Sequence, residues 1–376
     1  MEEKYYCYIC GKEITEQNKS DEHIILNAIG GHLHSNTIIC NDCNNRMGET
    51  ADAKLAEDLS FYTDMLKVKK NRQKRHNQVM KDDDGHEFIV EDGGRSLSLR
   101  KPYLVIDKKD NAKTVHLTAR NMTELGGLLN SLIRSGDLTQ EQADEITAKA
   151  KVTEHNSVLS KQTCISTEAF PSIIKSAANF YVDATHDIAT VKPLVPYIEG
   201  KADTKDVLYL HHFKELPYHE EKGQITHMIH IEGSKETGLL YAMMEYYSIY
   251  VYIVVIDKNY TGEHVNMTYT WDVVAGKELK RDFSLPMTMK DLDDFRNQPH
   301  EEYVKYLPYI QKRADAVMAV WERDNDQQEL HDVVEKAFGQ FPEGCVLTPE
   351  MVAQIQHDVM DFFEKKIIRS FRLKGE

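Results

Sequence analysis

Four cysteines stand in two Cys-x-x-Cys pairs, Cys7 with Cys10 and Cys40 with Cys43, while Cys164 and Cys345 stand alone. Thiolates so spaced suit a closed tetrahedral zinc site, in which the metal holds together a segment too small for a core of its own. Gly11 follows the first pair, where the chain must turn sharply. Between the pairs, Glu22 and His23 put a carboxylate beside an imidazole, Gly30-Gly31 marks a turn, and Asn36 precedes the apolar Thr37-Ile38-Ile39. Asn44 follows Cys43 directly. These residue types meet the needs of phosphodiester hydrolysis. A neutral imidazole takes a proton from water near pH 7. Carboxylate and amide oxygens suit Mg²⁺ or Mn²⁺ and leave positions open for water and phosphate. Such a cation stabilises charge on the phosphoryl group and on the departing oxygen. Neighbours in a strand point to opposite faces, so Glu22 and His23 converge only where the strand bends or ends.

Each residue also has a plainer reading. A lone histidine in an apolar strand is usually structural, Asn44 is a natural helix N-cap, and Asn36 is a natural turn residue. His32 and His34, on the Gly-Gly loop, are either solvated or in reach of phosphate. His211, His212, His227 and His230 invite a second metal site, but on one strand His227 and His230 face opposite sides.

Taken together, Cys-x-x-Cys, Glu-His, Gly-Gly, Asn and Cys-x-x-Cys-Asn resemble the HNH endonucleases, or ββα-metal nucleases, over roughly residues 5–60. The likeness is to the branch buttressed by four cysteines, which includes endonuclease VII-type junction resolvases and many bacterial HNH proteins. It implies a two-stranded hairpin followed by a helix, with metal-dependent cleavage of DNA. The family's acidic ligand falls on Glu22, its general base on His23, its middle asparagine on Asn36 and its last ligand on Asn44. Asn36 would orient His23 through its loop. Zinc at Cys7, Cys10, Cys40 and Cys43 would be structural, and Mg²⁺ or Mn²⁺ at Glu22 and Asn44 catalytic. Two departures stand out: Asn44 replaces the commoner histidine, and Leu26 stands where many relatives have proline. Asp21 is the alternative acid, and Glu22 is preferred because it immediately precedes the histidine. Bacterial defence against phage or foreign DNA follows from the same analogy.

The elements that must position these residues belong to a chain of 376 residues, long enough for two or three domains. The net charge is −15, which excludes general polycation binding to nucleic acid. Residues 1–80 are near balance, with eleven basic and twelve acidic side chains; the rest hold 35 against 49. We therefore expect an α+β protein with an HNH domain at 1–80. Residues 81–376 form a body with an antiparallel sheet and C-terminal helices, divided near 190 or 290. The body would select targets, sense a signal or form a homodimer.

Leu55, Leu59, Tyr62 and Leu66 predict a helix from Ala51 to about Arg75. Its basic end carries Lys67, Lys69, Lys70, Arg72, Lys74 and Arg75 as phosphate contacts, with Lys67, Lys70 and Lys74 on one face. Short strands are expected over 86–118 and two helices over 121–152, the second opening on a Thr139/Gln142 capping box. A helix starting near Pro171 should turn Ile174, Ala177, Ala178 and Tyr181 inward. Strands follow over 206–275, then helices from about Glu301 and from Pro349. The longest apolar run, Tyr246 to Ile256, is too short to span a membrane, and no signal peptide is visible at the N-terminus, so a cytoplasmic protein is expected. Two other functions fit the same residues: a non-catalytic zinc ribbon binding nucleic acid or protein, and a nuclease or toxin directed at RNA.

Overall fold

A computed structural model describes residues 4–69, 77–109, 112–151, 158–210, 215–218 and 221–373. It is an α+β structure with antiparallel sheets and C-terminal helices, as expected. By contacts the chain divides into two compact units, Met1–Arg75 with Thr163–Glu322, and His76–Gln162 with Arg323–Glu376.

The first unit is built on a six-stranded antiparallel sheet. Its spatial order is Leu208–Leu210, Tyr250–Asp257, Leu239–Tyr246, Thr226–Ser234, Val265–Asp272, Lys277–Leu279. The central strands are buried on both faces, so they read as nearly continuous apolar runs. On one face Met228, Tyr241, Met243, Val251 and Ile253 form a core with Met287 and Leu292 of the following segment. Against the sheet packs the Phe170–Thr185 helix, where Phe170 meets Tyr252 edge-on. Ile174, Ala177, Ala178 and Tyr181 of that helix are buried, as the periodicity predicts. So, however, are Lys175 and Asn179, four apart on one stripe of it.

The chain before this sheet differs from the expected single helix. Helices run Asn41–Gly48, Ala51–Asp58 and Ser60–Met65, and the last one stops there. Lys67 takes a left-handed conformation (φ 51°), and the Val68 amide donates back to the Thr63 carbonyl at 3.0 Å, a Schellman-type stop. The reason is packing: Val68 is buried in the space that Gly30 leaves by lacking a Cβ. Lys67 and Lys69 thus lie beyond a helix end, and Lys70, Arg72, Lys74 and Arg75 fall outside the described residues. The shared helical face of Lys67, Lys70 and Lys74 is therefore corrected at Lys67.

The second unit has a three-stranded sheet (Gln78–Lys81, Glu87–Glu91, Ser96–Leu99) and a hairpin (Tyr103–Lys109, Ala112–Thr118). Helices Met122–Arg134 and Gln140–Lys149 enclose a small core of Leu125, Leu129, Leu132, Leu138 and Ala143. Thr139 and Gln142 form the predicted capping box, with reciprocal bonds of 3.2 and 2.9 Å. The Pro349–Leu373 helix starts where Thr348-Pro349-Glu350 places it. Among the described residues no helix is long and apolar enough to cross a membrane.

Candidate active site and metal centre

The two cysteine pairs are brought together by local backbone bonding. The Gly11 amide donates to the Cys7 carbonyl at 2.8 Å, and Gly11 has φ 75°, closing the first knuckle. The Tyr8 amide reaches the Ile38 carbonyl at 3.3 Å, and the Asn41 amide the Asn18 carbonyl at 2.8 Å. Cys40 sits at the N-cap of the Asn41–Gly48 helix and Cys43 in its first turn. The four Sγ atoms lie within 4.8 Å of one another. Cys10 and Cys40 Sγ are 3.7 Å apart, far beyond a disulfide. A tetrahedron with zinc–sulfur bonds of about 2.3 Å has edges of about 3.8 Å, so the donor set fits zinc in both kind and spacing. Burial pushes the Cys43 thiol well above its ordinary range, a penalty on the charged form that a bound dication would offset.

Between the knuckles lies a minimal hairpin. Glu22 pairs with Ser35 and His23 with His34, and the Ile24 amide extends the ladder to the Leu33 carbonyl at 2.9 Å. The loop across it holds a short turn at Asn27–Ile29 and then Gly30 (φ 93°) and Gly31. A Cβ on Gly31 would collide with the Ile25 carbonyl oxygen, so the doubled glycine permits this close return. His227, fully buried in the sheet, bonds the Ile29 carbonyl through Nε2 at 2.9 Å, and the Tyr247 hydroxyl donates to the same oxygen at 3.0 Å. Burial holds His227 down at about 4, so it serves as a neutral anchor for the loop. His230 bonds Thr268 and Glu232 instead, so the two do not share a metal site, as strand geometry predicts.

The hairpin and the helices behind it line an open cavity of about 240 Å³. Its lining includes Asp21, Glu22, His23, Asn44 and Asp52. Because the strand ends within two residues, Glu22 and His23 both reach this one space. His23 is half-buried, and its ring nitrogens have no hydrogen-bond partner among the described residues. Burial lowers its pKa, Asp21 opposes this, and His34 and His32 add to the lowering, so the neutral form prevails near pH 7. Asn44 is not a cap but lies inside the Asn41–Gly48 helix. Its amide nitrogen donates to Ser20 Oγ at 2.6 Å, which leaves Oδ1 as the donor available to a cation. Asp21 Oδ1 is 2.6 Å from His34 Nδ1 at the surface. Asn36 is exposed beyond the second strand and is not part of the cavity lining. His32 stacks on Trp271, with ring centroids 4.3 Å apart.

Glu22 is 2% exposed and is held from outside the motif. Its Oε1 accepts from Lys175 Nζ at 2.8 Å and from Asn179 Nδ2 at 2.8 Å. Oε2 has no hydrogen-bond partner among the described residues. Asn179 is itself fixed by the Tyr8 hydroxyl, which donates to its Oδ1 at 2.7 Å. Lys175 also meets Asp52 Oδ2 at 2.5 Å, and Ser172 Oγ donates to Asp52 Oδ1 at 2.5 Å. Burial raises the Glu22 carboxyl, while Lys175 and Asn179 pull it back. Asp52, Lys175 and Asn179 belong to no motif. The only sequence sign of them is a lysine and an asparagine four apart inside an otherwise apolar helix.

Residues 7–60 match the family model for HNH endonuclease. The N-terminal segment is an HNH endonuclease domain. The match spans both cysteine pairs, the hairpin and the Asn44 helix, and ends before the basic run. No curated protein and no solved structure gives a significant match. The match does not reach Lys175 or Asn179, although both touch Glu22, which it covers.

Proposed function

We propose that the chain is a metal-dependent endonuclease that hydrolyses phosphodiester bonds in DNA. The observation that carries it is the convergence of His23, Glu22 and Asn44 on one cavity within the HNH match. Cys7, Cys10, Cys40 and Cys43 would hold structural zinc. Glu22 Oε2 and Asn44 Oδ1 would hold Mg²⁺ or Mn²⁺, hard oxygen donors suited to either ion. When bound, that ion stabilises negative charge on the phosphoryl oxygens and on the departing 3′ oxygen. His23 takes the proton of the attacking water on an unprotonated ring nitrogen, a role its lowered pKa suits. Glu22 is preferred over Asp21 as ligand because Lys175 and Asn179 hold it, whereas Asp21 is paired with His34 at the surface. Asn36, being exposed, would act on the loop and not on the phosphate.

The test is incubation of the purified full-length chain with plasmid, linear duplex DNA and RNA, in Mg²⁺, Mn²⁺ or chelator. Cutting of DNA that chelator abolishes is the expected result. Cutting of RNA alone would move the activity to RNA, and no cutting of any substrate would leave a zinc-ribbon binding module. The second unit would select targets, sense a signal or form a homodimer. Defence against foreign DNA extends the family analogy.

Lys67, Lys69, Lys70, Arg72, Lys74 and Arg75 would bind phosphate as a basic segment following the last short helix. Reversing Lys67, Lys70 and Lys74 to Glu should weaken DNA binding without changing zinc content. The slope of log affinity against log salt should flatten by about 0.9 for each duplex phosphate no longer neutralised. An unchanged affinity and slope would show that the segment is merely solvated.

A further inference from the structure

The geometry points to Lys175 as a resident cation of the nuclease site. Its ammonium fills a place between Glu22 and Asp52 that a divalent ion would otherwise take. This rests on reading the cavity as a divalent-cation site. Three observations carry it. First, the Lys175 side chain is 1% exposed and its Nζ lies 2.8 Å from Glu22 Oε1 and 2.5 Å from Asp52 Oδ2. Both carboxylates line the cavity, so the ammonium lies directly behind that wall, bonded to two of the groups that form it. Second, the surrounding donors are hard oxygens: two carboxylates, with the Ser172 hydroxyl on the far oxygen of Asp52. These are the donors a Mg²⁺ or Mn²⁺ position needs. Third, the charge count is informative. At this place two carboxylates face a single ammonium. Without the ammonium, two buried carboxylates would share one site with no counter-ion, an arrangement that strongly recruits cations.

Lys175 is thus a positioning residue: it holds Glu22 by one oxygen and leaves the other toward the cavity. Because Lys175 comes from the Phe170–Thr185 helix, the HNH segment does not complete its own site.

The experiment compares full-length wild type with Lys175→Ala, Lys175→Met and the double variant Lys175→Ala/Asp52→Asn. Bound Mn²⁺ per chain is counted by electron paramagnetic resonance, and thermal unfolding is followed with and without Mn²⁺. Lys175→Ala opens the ion's place and keeps its donors, so it should bind one more Mn²⁺ than wild type. Added Mn²⁺ should raise its unfolding temperature by roughly 5 °C more than it raises that of wild type. Lys175→Met fills the same place with an apolar chain and should gain neither the ion nor the rescue. The double variant, short of one carboxylate, should also gain neither. Lys175→Ala binding no more Mn²⁺ than wild type, or remaining unfolded at every Mn²⁺ concentration, would overturn the inference. So would an equal gain in Lys175→Met. The wild-type count tests the nuclease reading separately, since only the increment between variants tests the role of Lys175.

Discussion

Cys43→Ser should reduce zinc content from one per chain to a small fraction and lower the unfolding temperature of the full-length protein. The four Sγ atoms lie within 4.8 Å of one another, so removing one leaves three donors and an open position. Structural zinc contributes roughly 10–16 kcal/mol of apparent binding free energy in small zinc domains, much of it folding free energy. The strands around this centre are only two residues long and cannot replace that term. The effect should also reach the cavity. Tyr8 lies between Cys7 and Cys10, and its hydroxyl fixes Asn179, which in turn holds Glu22. Loosening the knuckle should therefore loosen the carboxylate. Elemental analysis with thermal unfolding checks this. A variant with wild-type zinc and an unchanged melting curve would show that the cysteines are unliganded core residues.

His23→Ala should have the opposite signature, with zinc and fold kept and cleavage lost. Its ring makes no hydrogen bond to a described residue and is half-buried at the cavity, so truncation removes little packing. Loss of a general base typically costs roughly 10²–10⁴-fold in rate. Single-turnover cleavage at saturating Mn²⁺ reads this directly. Undiminished cleavage by His23→Ala would place the activity elsewhere or in a contaminant.

Much of the site was legible in the sequence because its parts are local. Each cysteine pair closes within four residues, and Glu22, His23 and Asn44 sit at fixed offsets from the knuckles. The Thr139/Gln142 capping box, the Pro171 helix and the antiparallel strands were legible for the same reason. What the sequence hides depends on residues far apart in the chain. Lys175 and Asn179 reach Glu22 from the stretch of the first unit that resumes at Thr163, and nothing near them in sequence says that a lysine there is buried. Asp52 reads as an ordinary acid in a first helical turn until Lys175 and Ser172 are seen against it. The helix over 51–75 fails likewise. Lysine-rich sequence favours helix, but packing of Val68 into the space beside Gly30 forces the chain to turn at Lys67.

The central claim is that water attacks a phosphodiester at the cavity formed by His23, Glu22 and Asn44. The most direct measurement is end-group analysis of duplex DNA cut by the full-length protein in Mn²⁺, beside a chelator control. In-line attack by water expels the 3′ oxygen, so every product should carry a 5′-phosphate and a 3′-hydroxyl, and chelator should abolish cutting. Products ending in 3′-phosphate, or cutting that persists in chelator, would contradict the account.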